Sequence, residues 1–293
     1  MPITHVLTLI ADRDAATLSP AVLARVREAA GAGEARVLSP GEAAELPCPA
    51  APDLAQIAAA LDGARIDAIT TMAAGRRKQL LLADMDSTIV TVETLDELAA
   101  FAGLKAEVAE ITRAGMNGEI DFKAGLRRRA AMLKGLPIAA LEATWRGIRF
   151  TDGARELVAT MRAHGAVTAL VSGGFTFFAG RVAAALGFDV HRANILLHDG
   201  DVLSGTVAEP IRDRDDKLAA LHELSAAHHV KLAATLAVGD GANDLPMLLE
   251  AGLGVAFHAK PVVAAGARAH LAFADLRGVL FAQGYHAREI IAA

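Results

Sequence analysis

Three short apolar runs limit what this chain can fold into: Leu80 to Ala83, Ala166 to Val171, and Ala234 to Val238. Each stops abruptly at small or polar residues: Asp84-Met85-Asp86-Ser87-Thr88, Ser172-Gly173-Gly174, and Gly239-Asp240-Gly241-Ala242-Asn243-Asp244. Runs this short, with helix-compatible segments between them, read as strands buried on both faces, and their alternation predicts a doubly wound parallel α/β sheet. In such sheets ligands gather at the carboxyl ends of the strands, where these polar strings fall.

The strings suggest phosphoryl chemistry. Alternate side chains of a strand point the same way, so Asp84 and Asp86 face one pocket if the strand geometry persists to its tip. One carboxylate can then attack phosphorus while the other handles protons. Asp-x-Asp also occurs in solvated loops and calcium sites. Ser172-Gly173-Gly174 offers a hydroxyl and unobstructed backbone to phosphate oxygens at the start of the next helix, and it equally makes an ordinary strand-to-helix turn. Lys217 heads a helical segment that runs to about His228, behind Arg212-Asp213-Arg214-Asp215-Asp216, where a lysine is usually solvated. The Gly239–Asp244 string is the sharper signal, because two carboxylates and an amide crowd a glycine-rich strand end, with Pro246 suited to a first helical turn.

Between the first two runs lie segments of helical spacing, Leu95 to Leu104, Glu107 to Ala114, Phe122 to Leu133 and Ile138 to Ile148, broken by Gly103, Gly118, Gly135 and Pro137. They predict a small helical cap. Asn194 to Leu197 and Val202 to Val207, joined by Asp199-Gly200-Asp201, read as a hairpin forming a second, minor insertion. The amino-terminal part alternates apolar runs at His5–Ala11, Ala35–Leu38 and Ile66–Met72 with helical segments near Ser19–Ala30 and Asp53–Leu61, a small α+β module. At 293 residues the chain has room for two domains, placed at 1–75 and 76–293, with the cap at about 95–150.

Composition removes several classes. The hydrophobic fraction is 53%, yet no uninterrupted apolar stretch approaches a membrane span. Nothing from Met1 to His5 resembles a secretion signal, so the expected location is the cytoplasm. Cys48 is the only cysteine, which excludes an internal disulfide and reads as structural. A net charge of −5, with no basic stripe, gives no general attraction for nucleic acid. The ten histidines lack ligand spacing; His228-His229 suits a helix end. The Gly239–Asp244 loop has Asp244 where a dinucleotide fingerprint needs Gly or Ala, so NAD is not expected.

Together the strings resemble the haloacid dehalogenase superfamily of phosphatases, and within it the bacterial phosphoserine phosphatases. The resemblance covers about residues 76 to 285. It rests on Asp84–Thr88 with Glu93 following, Met116-Asn117-Gly118-Glu119-Ile120-Asp121-Phe122 with Leu126-Arg127-Arg128-Arg129, Ser172–Thr176, and Gly239–Asp244. One departure is Asp152-Gly153, where the family commonly has Pro-Gly at the helix entry.

The resemblance implies Mg2+-dependent hydrolysis of L-phosphoserine to L-serine and phosphate, the last step of serine biosynthesis. It makes Asp84 the nucleophile and Asp86 the acid and base. Asp84 and Asp240 would bind the metal through side chains and Asp86 through its backbone carbonyl, with Asp244 orienting them. Ser172, Gly173 and Lys217 would hold phosphate oxygens, with Asn243 nearby. Glu93 and Arg129 would meet the ammonium and carboxylate of the substrate, and Met116 and Phe122 would wall the site. On residues alone, Arg127 to Arg129 also fit a solvated helix face, and Met116 and Phe122 fit ordinary helix packing. The amino-terminal module could be a ferredoxin-like fold similar to amino-acid-binding ACT domains, or a packing or dimerisation module, which leaves a homodimer open. Two other activities stay open: phosphoryl transfer to another alcohol, or use of a related phosphorylated amino acid. A non-catalytic amino-acid sensor is the remaining alternative.

Overall fold

A computed structural model describes residues 2–116 and 119–292; Met1, and Asn117 and Gly118 of the cap signature, lie outside the described residues. The chain opens with β1 (His5–Ala11), α1 (Pro20–Ala30), β2 (Arg36–Ser39), β3 (Ala43–Cys48), α2 (Leu54–Leu61) and β4 (Ile66–Met72). These strands form an antiparallel sheet in the order β2-β3-β1-β4, the ferredoxin-like βαββαβ arrangement. Leu7, Leu9, Leu46 and the buried Cys48 face α1 and α2, while Ile10, Ala43 and Ile69 turn to the opposite side.

Strand β3 has no counterpart in the sequence reading, because Ala-Ala-Glu-Leu-Pro-Cys is poor in strand formers and carries a proline. Pro47 is tolerated there for a local reason. Its carbonyl accepts from Gly33 N on the side of β2, ahead of that strand's first residue Arg36, so the missing N–H removes no ladder bond.

The second part continues with β5 (Leu80–Ala83), α3 (Thr94–Ala100), α4 (Lys105–Met116), α5 (Phe122–Met132), α6 (Ala139–Gly147), α7 (Ala154–Ala163), β6 (Val167–Phe175), α8 (Thr176–Leu186) and β7 (Val190–Asn194). It ends with β8 (Leu196–Asp199), β9 (Val202–Val207), α9 (Arg214–Ala227), β10 (Thr235–Gly239), α10 (Leu245–Glu250), β11 (Leu253–Phe257), α11 (Pro261–Gly266), β12 (Ala269–Leu271) and α12 (Gly278–Ala282). Six parallel strands run in the order β12-β11-β10-β5-β6-β7. Strand order reverses between β5 and β10, so a crevice opens at their carboxyl ends. Leu80 and Leu82 pack on the side of α9 and α10, Leu81 and Ala83 on the side of α7 and α8, as expected of a strand covered on both faces.

Helices α3 to α6 form the cap. The β8–β9 hairpin is tied to it by backbone bonds from Gly135 N to Leu203 O (2.8 Å) and from Leu203 N to Leu136 O (2.8 Å). At Asp152-Gly153 the helix entry is intact, with α7 starting at Ala154 and Gly153 at φ 80°. The two sheets are joined through apolar and polar groups, with Ile10, Ala43 and Ile69 in one buried cluster with Leu280 and Phe281 of α12. Asp67 of β4 accepts backbone N–H bonds from Ala272, Phe273 and Ala274, and the part-buried pairs Arg76–Glu45 and Arg277–Glu42 span the same junction. No described helix is long and apolar enough to cross a membrane.

Candidate active site

The strand β5 ends at Ala83, but Asp84 N still donates to Val238 O of β10 at 2.9 Å, which holds Asp84 at the crevice. The chain then turns sharply. Ser87 takes φ 56°, and the N–H groups of Thr88, Ile89 and Val90 converge on the Met85 carbonyl. This turn, rather than continued strand, brings Asp86 into the cavity that Asp84 lines.

Lys217 is 1% exposed, despite its charged run. Asp213 and Asp216 cap α9 reciprocally, and this sets the helix so that Lys217 points inward. Its Nζ donates to Asp84 Oδ1 and to Asp244 Oδ1, both at 2.6 Å. Burial works against the ammonium, but the charges of Asp244 and Asp84 outweigh it and hold the proton more tightly than usual. Asp244 spends its other oxygen on Gly241 N (3.0 Å), and Asp240 accepts from the Thr88 hydroxyl (3.1 Å). Gly239 makes this approach possible, since a Cβ there would lie 2.4 Å from Asp244 Cγ.

The Ser172-Gly173-Gly174 string lies inside β6, which runs on to Phe175, with its register to β7 slipping between Val171 and Phe175. Rather than following the strand, it is the strand's irregular end, directly before α8. Ser172 Oγ accepts from Gly174 N at 2.9 Å, which leaves its proton free to donate. A Cβ on Gly173 would sit 2.7 Å from Phe122 Cζ, and one on Gly174 would sit 2.8 Å from Asp86 Oδ2. The two glycines thus admit the cap from above and the acid from the side.

On the cap, Glu93 occupies the N-cap of α3 without capping it; its carboxyl instead accepts from the Ser87 hydroxyl at 2.5 Å. Asp86 supplies the missing acceptor, taking the Thr94 N–H at 3.1 Å. Arg129, on α5, donates to Thr112 Oγ1 at 2.9 Å. Met116, Phe122, Arg129 and Glu93 line one cavity with Asp84, Asp86, Ser172, Gly173 and Asn243. Lys217, Asp240 and Asp244 lie just behind it, around Asp84. The cavity holds about 60 Å³, room for a few waters, between the cap and the strand ends.

The electrostatics are those of crowded, dry carboxyl groups. Burial, then the Asp244 charge, raises Asp84 well above the carboxylate range. Burial and the Asp84 charge bring Asp86 to about 7, and burial with the Asp244 charge brings Asp240 to about 7. Burial, then Asp86, takes Glu93 to about 8. Burial lowers Arg129, opposed by Asp96 and Glu93. Asp84, Asp240 and Asp244 each offer an oxygen within 4.8 Å of the others, all buried, and Lys217 alone among the described residues pairs with them. An all-oxygen donor set short of positive charge fits a hard divalent cation.

Several contributors escaped the sequence reading. Asn194, 3% exposed, donates to Gly173 O (2.8 Å) and Arg212 O (3.1 Å) and accepts from Arg212 N (2.7 Å), tying β6 to the loop before α9. Asp96 and Thr112 are buried polar residues on cap helices. Their one signal was a polar group on an otherwise apolar helix face.

Residues 81–249 match the haloacid dehalogenase-like hydrolase family, and the chain belongs to that family. It is therefore a hydrolase of a family whose phosphatases use a divalent metal. A Streptococcus thermophilus phosphoserine phosphatase is 44% identical over 203 residues, 69% of this chain and 94% of the relative. A solved phospho-aspartyl intermediate analogue of phosphoserine phosphatase shares 39% identity at a TM-score of 0.67, over 70% of this chain and 98% of that one. A probable phosphoserine phosphatase from Vibrio cholerae superimposes at a TM-score of 0.79 with 30% identity, over 98% of this chain and 88% of that one.

Proposed function

We propose that this chain hydrolyses L-phosphoserine to L-serine and phosphate through an aspartyl-phosphate on Asp84, the closing step of serine formation, with Mg2+ as the metal. The observation that carries the reading is the pairing, in one cavity, of Asp84 with a cap guanidinium and a cap carboxyl group, Arg129 and Glu93. A phosphate ester bearing an ammonium and a carboxylate on one carbon matches that set. The relatives and the solved intermediate analogue support it. The reading takes 1–75 as a separate domain and 76–293 as the phosphatase domain capped at about 95–150; the amino-terminal helices and sheet have their own apolar core in its favour.

Lys217 engages Asp84 Oδ1, which leaves Oδ2 to attack phosphorus. As that bond forms, the bond from phosphorus to the serine oxygen breaks, and Asp86, protonated below about pH 7, gives its proton to the leaving oxygen. Asp86 then takes a proton from water as it attacks the phosphorus of the acyl phosphate, which releases phosphate and restores Asp84. Ser172, the Gly173 backbone and Lys217 hold the equatorial oxygens, and Asn243 adds a polar contact. Asp84 and Asp240 through their side chains and Asp86 through its backbone carbonyl would hold Mg2+, which when bound would supply positive charge that favours the ionised forms of Asp84 and Asp240 and offsets charge on the phosphoryl group. Asp244, with both oxygens engaged, orients Lys217 and the Gly241 turn.

Phosphate release from phosphoserine, phosphothreonine and an aryl phosphate, each with and without Mg2+ and with competing alcohols present, tests the reading. Preference for phosphoserine with water as acceptor supports it; transfer to an alcohol, or no release at all, overturns it.

A further inference from the structure

Arg129 does not stand alone in the cap. Its Nη1 donates to Thr112 Oγ1 at 2.9 Å, and the Thr112 hydroxyl lies 2.6 Å from Asp96 Oδ1. Thr112 also approaches Val108 O at 3.1 Å, the usual back-bond of a helical threonine. A threonine has one hydroxyl proton. Were that proton directed to Val108, two bare acceptors would face each other at 2.6 Å, so the shorter, charge-assisted contact to Asp96 takes it. The result is a one-way chain, guanidinium to threonine oxygen to carboxylate, with each member on a different cap helix: Arg129 on α5, Thr112 on α4, Asp96 on α3.

The chain is buried. Thr112 is 6% and Asp96 8% exposed, and Thr112 lines the same cavity as Arg129. Arg129 Nε is buried with no partner among the described residues, so the bond to Thr112 is the hydrogen bond that fixes the guanidinium. A planar fork grips a carboxylate through two donors only if its plane is set beforehand. Without Thr112 the side chain would be free to swing toward Asp96 or Glu93, the carboxyl groups closest to it in charge.

We propose that Thr112 and Asp96 are positioning residues for substrate selection: Thr112 passes the Asp96 charge to Arg129 and presets the guanidinium plane for the carboxylate of the substrate. The inference rests on the reading of Arg129 as the carboxylate-binding group.

The test measures kcat and KM of the full chain for phosphoserine and for an aryl phosphate, which has no carboxylate. Thr112→Val, close to isosteric, is expected to raise KM for phosphoserine about tenfold, the size of one hydrogen bond to a charged group, with kcat little changed and the aryl phosphate unaffected. Thr112→Ser, which restores the hydroxyl, is expected to restore KM. Asp96→Asn is expected to raise the same KM and to add little on top of Thr112→Val, because both act through one chain. Equal losses on both substrates, or failure of Thr112→Ser to recover KM, would show a tie among helices and overturn the inference. Arg129→Ala separates the two levels. If it leaves the ratio of the two substrates unchanged, the carboxylate reading itself fails; if it shifts the ratio while Thr112→Val does not, only the positioning role fails.

Discussion

Asp86 accepts the backbone N–H of Thr94 at 3.1 Å, so the proposed acid and base also closes the open amino end of the first cap helix. Chemistry and cap are thereby joined in one carboxyl group, where Glu93, the residue in the capping position, has turned its own side chain toward Ser87.

The pH dependence follows from the same group. Burial and the Asp84 charge raise Asp86 to about 7, so its proton is present below that pH and lost above it. The first half-reaction needs the proton, and kcat/KM for phosphoserine is predicted to fall as pH rises through about 7. A profile from acid to alkaline pH checks this. The descending limb should vanish in Asp86→Asn, with activity about a hundredfold lower or less than that.

Glu93 gives a second, independent prediction. Burial, then the Asp86 charge, raises it to about 8, so near neutral pH its carboxyl carries a proton. An incoming ammonium favours the ionised form, and substrate binding should release a proton. Calorimetry in buffers of different ionisation enthalpy measures it. Glu93→Gln should abolish the release and raise KM for phosphoserine about tenfold, while sparing the phosphate ester of 3-hydroxypropionate, which lacks the ammonium.

Metal removal has a readout apart from turnover. Asp84, Asp240 and Asp244 converge within 4.8 Å, and Asp240 sits at about 7 through burial and the Asp244 charge. Added Mg2+ should raise the unfolding midpoint of chelator-treated protein, and by less as pH falls below about 7, since protons compete for the same oxygens. Asp240→Asn should largely remove the shift.

The amino-terminal sheet is anchored by Asp67, which is 3% exposed and takes N–H bonds from Ala272, Phe273 and Ala274 at 2.8 to 3.0 Å. Asp67→Ala strands these donors and should destabilise the protein by about 2 kcal/mol or more. Denaturant unfolding checks this; an unchanged midpoint would mean that water replaces the carboxylate without loss.

The sheet was legible because buried parallel strands announce themselves as short apolar runs, and the polar strings after Ala83, Val171 and Val238 marked their useful ends. Leu80 to Ala83 and Thr235 to Gly239 needed no tertiary information. The strand Ala43–Cys48 did, since Glu45 and Pro47 contradict strand propensity and only the late start of β2, at Arg36, excuses the proline. Lys217 was visible as a residue but not as a buried one; its inward turn is set by the Asp213–Asp216 cap. Thr112, Asp96 and Asn194 stayed hidden because their partners come from elements distant in sequence, and a single buried hydroxyl or amide leaves no periodic trace.

The central claim is a covalent bond between phosphorus and Asp84. Rapid acid quench of the enzyme turning over phosphoserine, with peptide mapping by mass spectrometry, tests it directly. A phosphoryl group on the peptide that contains Asp84, absent from the inactive Asp84→Asn variant, is the predicted result. A phosphoryl group on another residue, or turnover that persists in Asp84→Asn, would contradict the account.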